Sequence, residues 1–259
     1  MPTALRNPGD DTAASTSQTV KAQRQIRELI LAGTLPGGSR IAELTIVEKL
    51  GISRTPIRAA LMRLEQEGLL ETLPSGGYAV KIFSERDVTD AIELRGMLEG
   101  LLARLAAERG VSGTLLQEAR RCLVHIDEWL RAPTLSDDTF SQYVVMNERF
   151  HALLHEMADS PTIVRQLERV ISLPFASPSG FVIAEAESPN ARDLLAVAQY
   201  QHWRVLDAIE AREGARAEII MREHSRIAQH NFQRVLHNPD AVPALSPQTI
   251  GVPLIRRKT

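Results

Sequence analysis

One cysteine, Cys122, stands in 259 residues. A lone thiol excludes an intrachain disulfide and any cysteine-rich zinc ribbon, so a metal bound by this chain must take nitrogen and oxygen ligands. Long apolar runs are also missing. A membrane-spanning helix needs about 20 consecutive apolar residues, and no stretch comes near that, so no membrane partner is expected. Nor does charge of one sign dominate. The formal net charge is −2, with ten Lys/Arg against eight Asp/Glu over residues 1–81 and the balance of −4 in the remainder. That asymmetry permits a nucleic-acid partner for the first third without demanding one. The polar start, "MPTALRNPGDDTAASTSQTV", lacks the apolar segment of a secretory signal, and residues 1–16 read as a disordered leader. A cytoplasmic protein follows, with a hydrophobic fraction of 44% that is ample for a core and for two domains.

What is present is mostly helical patterning. The spacing predicts a mainly α protein that changes character near residue 84. Residues 17–83 read as helix, helix, turn, helix and hairpin, which is the order of a winged helix-turn-helix. Residues 84–237 read as helices only, at about 85–108, 114–131, 138–158, 161–173, 190–212 and 215–236, with a long irregular connection over 173–189. Residues 238–259 form a proline-containing tail. In the first part, the apolar side of a helix from about Thr19 to Ala32 is Val20, Ile26, Leu29 and Ile30. A helix from Ala42 to Leu50 is expected to bury Leu44, Val47 and Leu50, and Gly51 supplies the tight turn. Tyr78, Val80 and Ile82 alternate with Ala79 and Lys81 as a strand does.

The segment "GISRTPIRAALMRLEQEGLL" carries the first candidate site. Ser53 is a natural N-cap, and Pro56 is tolerated because first-turn amides have no intrahelical partner. Ile57, Ala60, Leu61 and Leu64 then face inward while Arg54, Thr55 and Arg58 face outward. Two arginines one turn apart at a helix N-terminus suit a major groove, where a guanidinium can bond bidentately to guanine. Ser53, Thr55 and the free amides suit phosphates. The plainer alternative is a solvated helix face, which the flanking helix, turn and hairpin make the poorer reading.

Residues 29–80, "LILAGTLPGGSRIAELTIVEKLGISRTPIRAALMRLEQEGLLETLPSGGYAV", resemble the DNA-binding domain of the GntR family of bacterial transcription regulators, with "SRTPIR" the most specific part. The resemblance implies a homodimer on a palindromic operator, base or phosphate contacts from Arg54 and Arg58, and a hairpin wing near the minor groove. Gly76 and Gly77 at the wing tip allow close backbone approach. Two positions depart from the family pattern. Ala59 replaces a glutamate, and the tip "PSGG" lacks an arginine, which weakens the case for a specific wing contact.

The second candidate site rests on histidines. His202 lies within the apolar arc of Leu195, Ala198, Val205, Leu206 and Ile209, and His224 lies between Ala217, Ile220, Ile227 and Ala228. Asn147 and His151 fall within the arc of Tyr143, Val144, Phe150 and Leu154. A single such histidine is ordinarily a hydrogen-bonded core residue. Three on separate helices would leave several buried imidazoles short of partners, a defect that a divalent cation removes. His151 with His155 is an alternative pair one turn apart, although His155 projects toward a polar edge beside Glu148. Arg95 sits within the arc of Ala91, Ile92, Leu98 and Leu102. It either pairs with Glu99 or another buried acid, or grips a carboxylate ligand bidentately.

The stretches "ELRGMLEGLLARLAA", "NERFH", "QYQHWRVLDAIEARE" and "AEIIMREH" resemble the all-helical effector-binding FCD domain of the FadR subfamily. The resemblance implies that His151, His202 and His224 are metal ligands, with Asn147 where many relatives have aspartate. The expected metal is zinc, with nickel or manganese as alternatives. A neutral amide in place of a carboxylate leaves the site one charge more positive, which favours an anionic effector held by Arg95. The expected function is a ligand-responsive repressor. The rival is a metal-dependent hydrolase using the same histidines, with Glu148 or His155 as base.

Overall fold

A computed structural model describes residues 8–132, 137–179, 191–237 and 254–256. Their contacts divide the chain into two units, the first made of the residues up to Phe83 together with the described part of the tail, and the second starting at Ser84.

In the first unit, helix α1 (Pro8–Leu31) begins well before Thr19. The expected leader over 1–16 is therefore helical from Pro8 onward, and residues 1–7 lie outside the described residues. The reason is local. Proline is at home in the first helical turn, and alanine, which stands at positions 13 and 14, is the strongest helix former. The buried line of α1 is Thr19, Ala22, Ile26 and Ile30, while Val20 is exposed.

A two-residue strand β1 (Arg40–Ile41) precedes α2 (Glu43–Leu50). Helix α2 buries Ile46, leaves Val47 and Leu50 half-buried and exposes Leu44, where the pattern predicts that Leu44, Val47 and Leu50 are buried. With eight residues, its inward face is set by packing on α1 and α3 (Arg54–Gln66) rather than by periodicity alone. Gly51 ends α2 in the left-handed region, φ 63°, and its N–H closes on the Val47 carbonyl. Helix α3 buries Pro56, Ile57, Ala60, Leu61 and Leu64, as its spacing predicts.

Strands β2 (Leu70–Thr72) and β3 (Tyr78–Val80) form the hairpin, and β3 is the centre of a three-stranded antiparallel sheet, β1-β3-β2. Arg40 lies opposite Ala79, and Thr72 opposite Tyr78. Strand β1 is too short for any sequence pattern. Because β3 is paired on both sides, Ala79 is buried along with Val80, and Ile82 lies beyond the strand and is exposed. The described part of the tail is a strand, β5 (Ile255–Arg256), which pairs with β4 (Phe83–Ser84) and is preceded by the buried Leu254.

The second unit is helical among its described residues. Helix α4 (Glu85–Arg109) opens on a full capping box, with the Ser84 hydroxyl accepting from the Asp87 N–H and the Asp87 carboxylate accepting from the Ser84 N–H. Helices α5 (Gly113–Arg131), α6 (Asp137–Ala158) and α7 (Pro161–Ile171) follow, then a 3₁₀ turn (Pro174–Ala176), α8 (Ala191–Glu210) and α9 (Gly214–His237). The core between them includes Leu123, Ile126, Phe150, Leu154, Val205, Leu206 and Met221.

Helices α4 and α9 run against one another along most of their length. Two glycines on α4 make that possible. A Cβ at Gly96 would lie 2.1 Å from the Ser225 Oγ and 2.7 Å from its Cβ, and one at Gly100 would lie 3.0 Å from the Glu218 carbonyl oxygen. This approach sets the α4 side chains Arg95 and Glu99 beside His224 of α9.

Candidate functional site

The first unit presents Arg54, Thr55 and Arg58 on the exposed face of α3, with Ser53 exposed at its N-terminus. Ser53 occupies the N-cap position but its hydroxyl caps no amide; only its carbonyl takes part, accepting from Ile57 N–H at 3.4 Å. The expected capping bond is thus absent, and the hydroxyl is left free to face solvent. Arg58 pairs with Glu43 of α2, Nε to Oε1 at 3.0 Å, an exposed contact of small energetic weight.

Arg54 and Arg58 line a broad concavity together with Arg40, Leu44, Thr72, Gly77 and Tyr78. Sequence reasoning missed Arg40. Its guanidinium donates to the Gly76 carbonyl at 3.2 Å, so β1 brings a cation to a wing tip that has none of its own. Gly76 and Gly77 both have positive φ, 83° and 84°, a conformation that side chains rarely adopt. The hairpin register across β3 is the signal that links Arg40 to the wing, and it is legible only once β1 is known to pair there.

In the second unit, His151 from α6, His202 from α8 and His224 from α9 are buried and lie together, each offering a ring nitrogen within 4.8 Å of the others. Every Nδ1 has a side-chain acceptor. His151 Nδ1 meets Glu99 Oε1 at 2.7 Å, His202 Nδ1 meets Gln199 Oε1 at 3.3 Å, and His224 Nδ1 meets Gln201 Oε1 at 3.2 Å. The Gln199 amide is itself oriented, because its Nε2 donates to the Leu123 carbonyl and to Asp127 Oδ1, each at 2.8 Å. Where each Nδ1 carries its proton, Nε2 is the nitrogen left to ligate. The Nε2 atoms of His202 and His224 stand 3.1 Å apart, and His151 Nε2 is buried without a protein partner. Three buried imidazoles gathered this closely have the donor chemistry of a divalent metal site.

The ionisation of the group is consistent with that reading. Burial, and next the neighbouring imidazoles, push His202 well below the usual histidine range, and burial followed by His151 and Arg95 lowers His224 to about 3. Both are neutral, as metal ligation requires. Glu99 is fully buried. Burial favours its neutral form, yet His151 and Arg95 together prevail and hold the carboxyl well below its usual range. Glu99 is the residue that sequence reasoning undervalued. It appeared only as a potential partner of Arg95, because nothing in the sequence says that α4 and α6 face each other here.

Arg95 is buried and its Nε lies 3.8 Å from Glu99 Oε2, without a hydrogen-bond partner. The pairing with Glu99 therefore exists but does not saturate the guanidinium. Asn147 is buried and donates to the Ser179 Oγ at 3.2 Å. Asn147, Arg95 and His224 line one small cavity, about 20 Å³ of space for the centre of a water molecule, with Asn231, Tyr143, Leu195 and Ile227 among its other walls. His155 does not project to a polar edge. Its Nε2 is buried 3.8 Å from Glu99 Oε1, the oxygen that His151 Nδ1 also meets, and His155 is not one of the three clustered histidines. Glu148 is exposed. Cys122 is buried against the Met146 carbonyl, and burial raises its thiol to about 11, so it offers no thiolate.

A winged helix-turn-helix carrying a basic recognition face, followed by a helical domain with a buried polar chamber, defines a DNA-binding transcription regulator. Residues 18–80 match the family described as bacterial regulatory proteins, gntR family, and residues 90–226 match the FCD domain. The chain belongs to the GntR family of transcription regulators, in the group with an FCD domain. It is 23% identical to the transcriptional repressor GlaR of Escherichia coli over 81% of this chain and 93% of that protein. A probable D-xylose utilization operon repressor of Paenarthrobacter nicotinovorans is 37% identical, over 38% of this chain and 45% of that one. The structure of E. coli McbR superposes with a TM-score of 0.60 at 20% identity, covering 86% of this chain and 98% of McbR, a likeness of fold. Membership of this family sets the hydrolase reading aside. No described helix is long and apolar enough to cross a membrane.

Proposed function

We propose that this regulator is a homodimeric repressor whose helical domain holds a divalent metal and a small carboxylate effector that tunes binding to a palindromic operator. The observation that supports the metal is the cluster of three buried imidazoles, each offering a ring nitrogen within 4.8 Å of the others and each with a side-chain partner at Nδ1. His151, His202 and His224 are its ligands in this reading, with Asn147 close by as a neutral oxygen donor. The absence of any available thiolate and the three imidazoles favour zinc, with nickel or manganese as competitors. When bound, the metal supplies an uncompensated positive charge that attracts an anion.

The chain's own residues do the rest. Arg95 presents a guanidinium with an unpartnered Nε at the cavity wall, placed to bond a carboxylate. Glu99 holds the His151 ring and offsets the charge of Arg95. In the first unit, Arg54 and Arg58 reach base edges while Ser53, Thr55 and the backbone at Gly76 and Gly77 approach phosphates. Exposed Leu94 and Met97 on α4 and Ile219 on α9 offer an apolar surface for a second copy of the chain. The effector acts by binding one state of the dimer better than the other, so operator affinity and effector affinity are reciprocally linked.

The deciding test is metal analysis of protein purified without chelator, beside His202→Ala. One equivalent of metal in the parent and none in the folded variant is the expected result. Equal content in both would remove the histidines from the site.

A further inference from the structure

Asn231 of α9 is almost fully buried, and its Oδ1 has no hydrogen-bond partner. A buried carbonyl oxygen without a donor is unfavourable, and native interiors rarely leave one so. This one stands in the wall of the cavity that Arg95, Asn147 and His224 also line. The chamber thus offers two unlike functions to whatever enters, the cationic guanidinium of Arg95 and a lone acceptor on Asn231.

We propose that Asn231 is a specificity residue for the effector, accepting a hydrogen bond from a hydroxyl carried next to the effector's carboxylate, so that the ligand class is short hydroxy acids. The inference rests on the carboxylate-binding reading of Arg95 and extends it to the second functional group. Three features of the wall narrow the ligand. The acceptor requires a donor, which plain fatty or keto acids lack. Among the described residues no carboxylate lines the cavity and the charged residue in its wall is Arg95, so an ammonium donor would meet like charge there, whereas a neutral hydroxyl meets none. The space, about 20 Å³ for a water-sized centre, suits an acid of few heavy atoms rather than a sugar acid.

The test uses three probes of nearly equal size, glycolate, glycine and acetate, titrated calorimetrically into the full-length protein purified without chelator. Glycolate is expected to bind at least about tenfold more tightly than acetate, because a site that hydrogen-bonds a hydroxyl rejects the analogue lacking it. In Asn231→Leu, glycolate should fall to the level of acetate, and acetate itself should change less than about twofold. A preference for glycolate that survives in Asn231→Leu would overturn the assignment, since it would then come from elsewhere in the chamber. Equal binding of glycolate and acetate by the parent protein overturns it as well, and that comparison stands even if the variant does not fold. Tighter binding of glycine than of glycolate would overturn the hydroxyl. Failure of all three probes to bind overturns the carboxylate-binding reading, and this proposal with it.

Discussion

His151 Nδ1 lies 2.7 Å from Glu99 Oε1, both residues buried, on different helices and 52 positions apart in sequence. This contact fixes which nitrogen of His151 is free. A carboxylate behind a coordinating histidine holds the ring in the orientation that ligation needs. Glu99→Gln keeps the shape and removes the charge, and the amide can turn its N–H₂ toward Nδ1 and so favour the wrong tautomer. Metal affinity is expected to fall by about 10- to 100-fold, read by competition with a chromogenic chelator. An affinity equal to that of the parent protein would mean that Glu99 does not orient the ring.

Gly96 is where α4 meets Ser225 of α9. Alanine in a helix interior is ordinarily about 1 kcal/mol better than glycine, so a neutral surface position would gain stability. Here the added Cβ would fall 2.7 Å from the Ser225 Cβ, which no side-chain rotation relieves. Gly96→Ala should therefore destabilise the protein by about 1–3 kcal/mol, measured by urea unfolding. Because the same seam sets Arg95 and Glu99 against His224, effector and metal binding should weaken with it. A stability gain would show that the helices can part at no loss.

The histidine chamber makes the stability of chelator-stripped protein depend on pH. His224 is held at about 3 in the folded chain against an ordinary value of 6.5, and His202 is lowered in the same sense. Below 6.5 the unfolded chain takes up protons that the folded chain refuses. Stability is therefore complete above that value and is lost as pH falls toward 3, at up to about 1.4 kcal/mol per pH unit for each histidine. Denaturant midpoints at pH 7 and pH 5 should show the drop, and His224→Gln should lessen it. A midpoint that rises on acidification would contradict the burial of neutral imidazoles.

How far the sequence foretold all this depends on what each feature rests on. The six helices of the second unit were legible to within about two residues, because each carries a long apolar stripe with its own start signals. The inward turn of His151, His202 and His224 was legible for the same reason, since each is flanked by apolar residues at helical spacing. Glu99, Gln199 and Gln201 were not, because their roles depend on which helices face each other. Arg40 escaped notice because a two-residue strand has no period to read. Leu44 and Ile46 exchanged places because a helix of two turns lets packing choose its face. The start of α1 was missed because a polar, alanine-rich stretch reads equally as a solvated leader and as a helix.

Arg58 and Glu43 form an ion pair on the face proposed to meet DNA. The carboxylate competes with the operator for the guanidinium and also repels phosphates. Arg58→Ala should weaken operator binding by about 1–3 kcal/mol. Glu43→Gln should do the opposite, tightening it by up to about 1 kcal/mol, the usual upper value for an exposed pair. Arg40→Ala, at the wing tip, should weaken binding on all sequences alike and lower the slope of log affinity against log salt by about one, since it loses one phosphate contact. Gel-shift titrations at several salt concentrations separate the three behaviours. If Glu43→Gln weakens binding instead, Glu43 serves to hold Arg58 in place for the groove, and the pair is an element of preorganisation rather than a competitor.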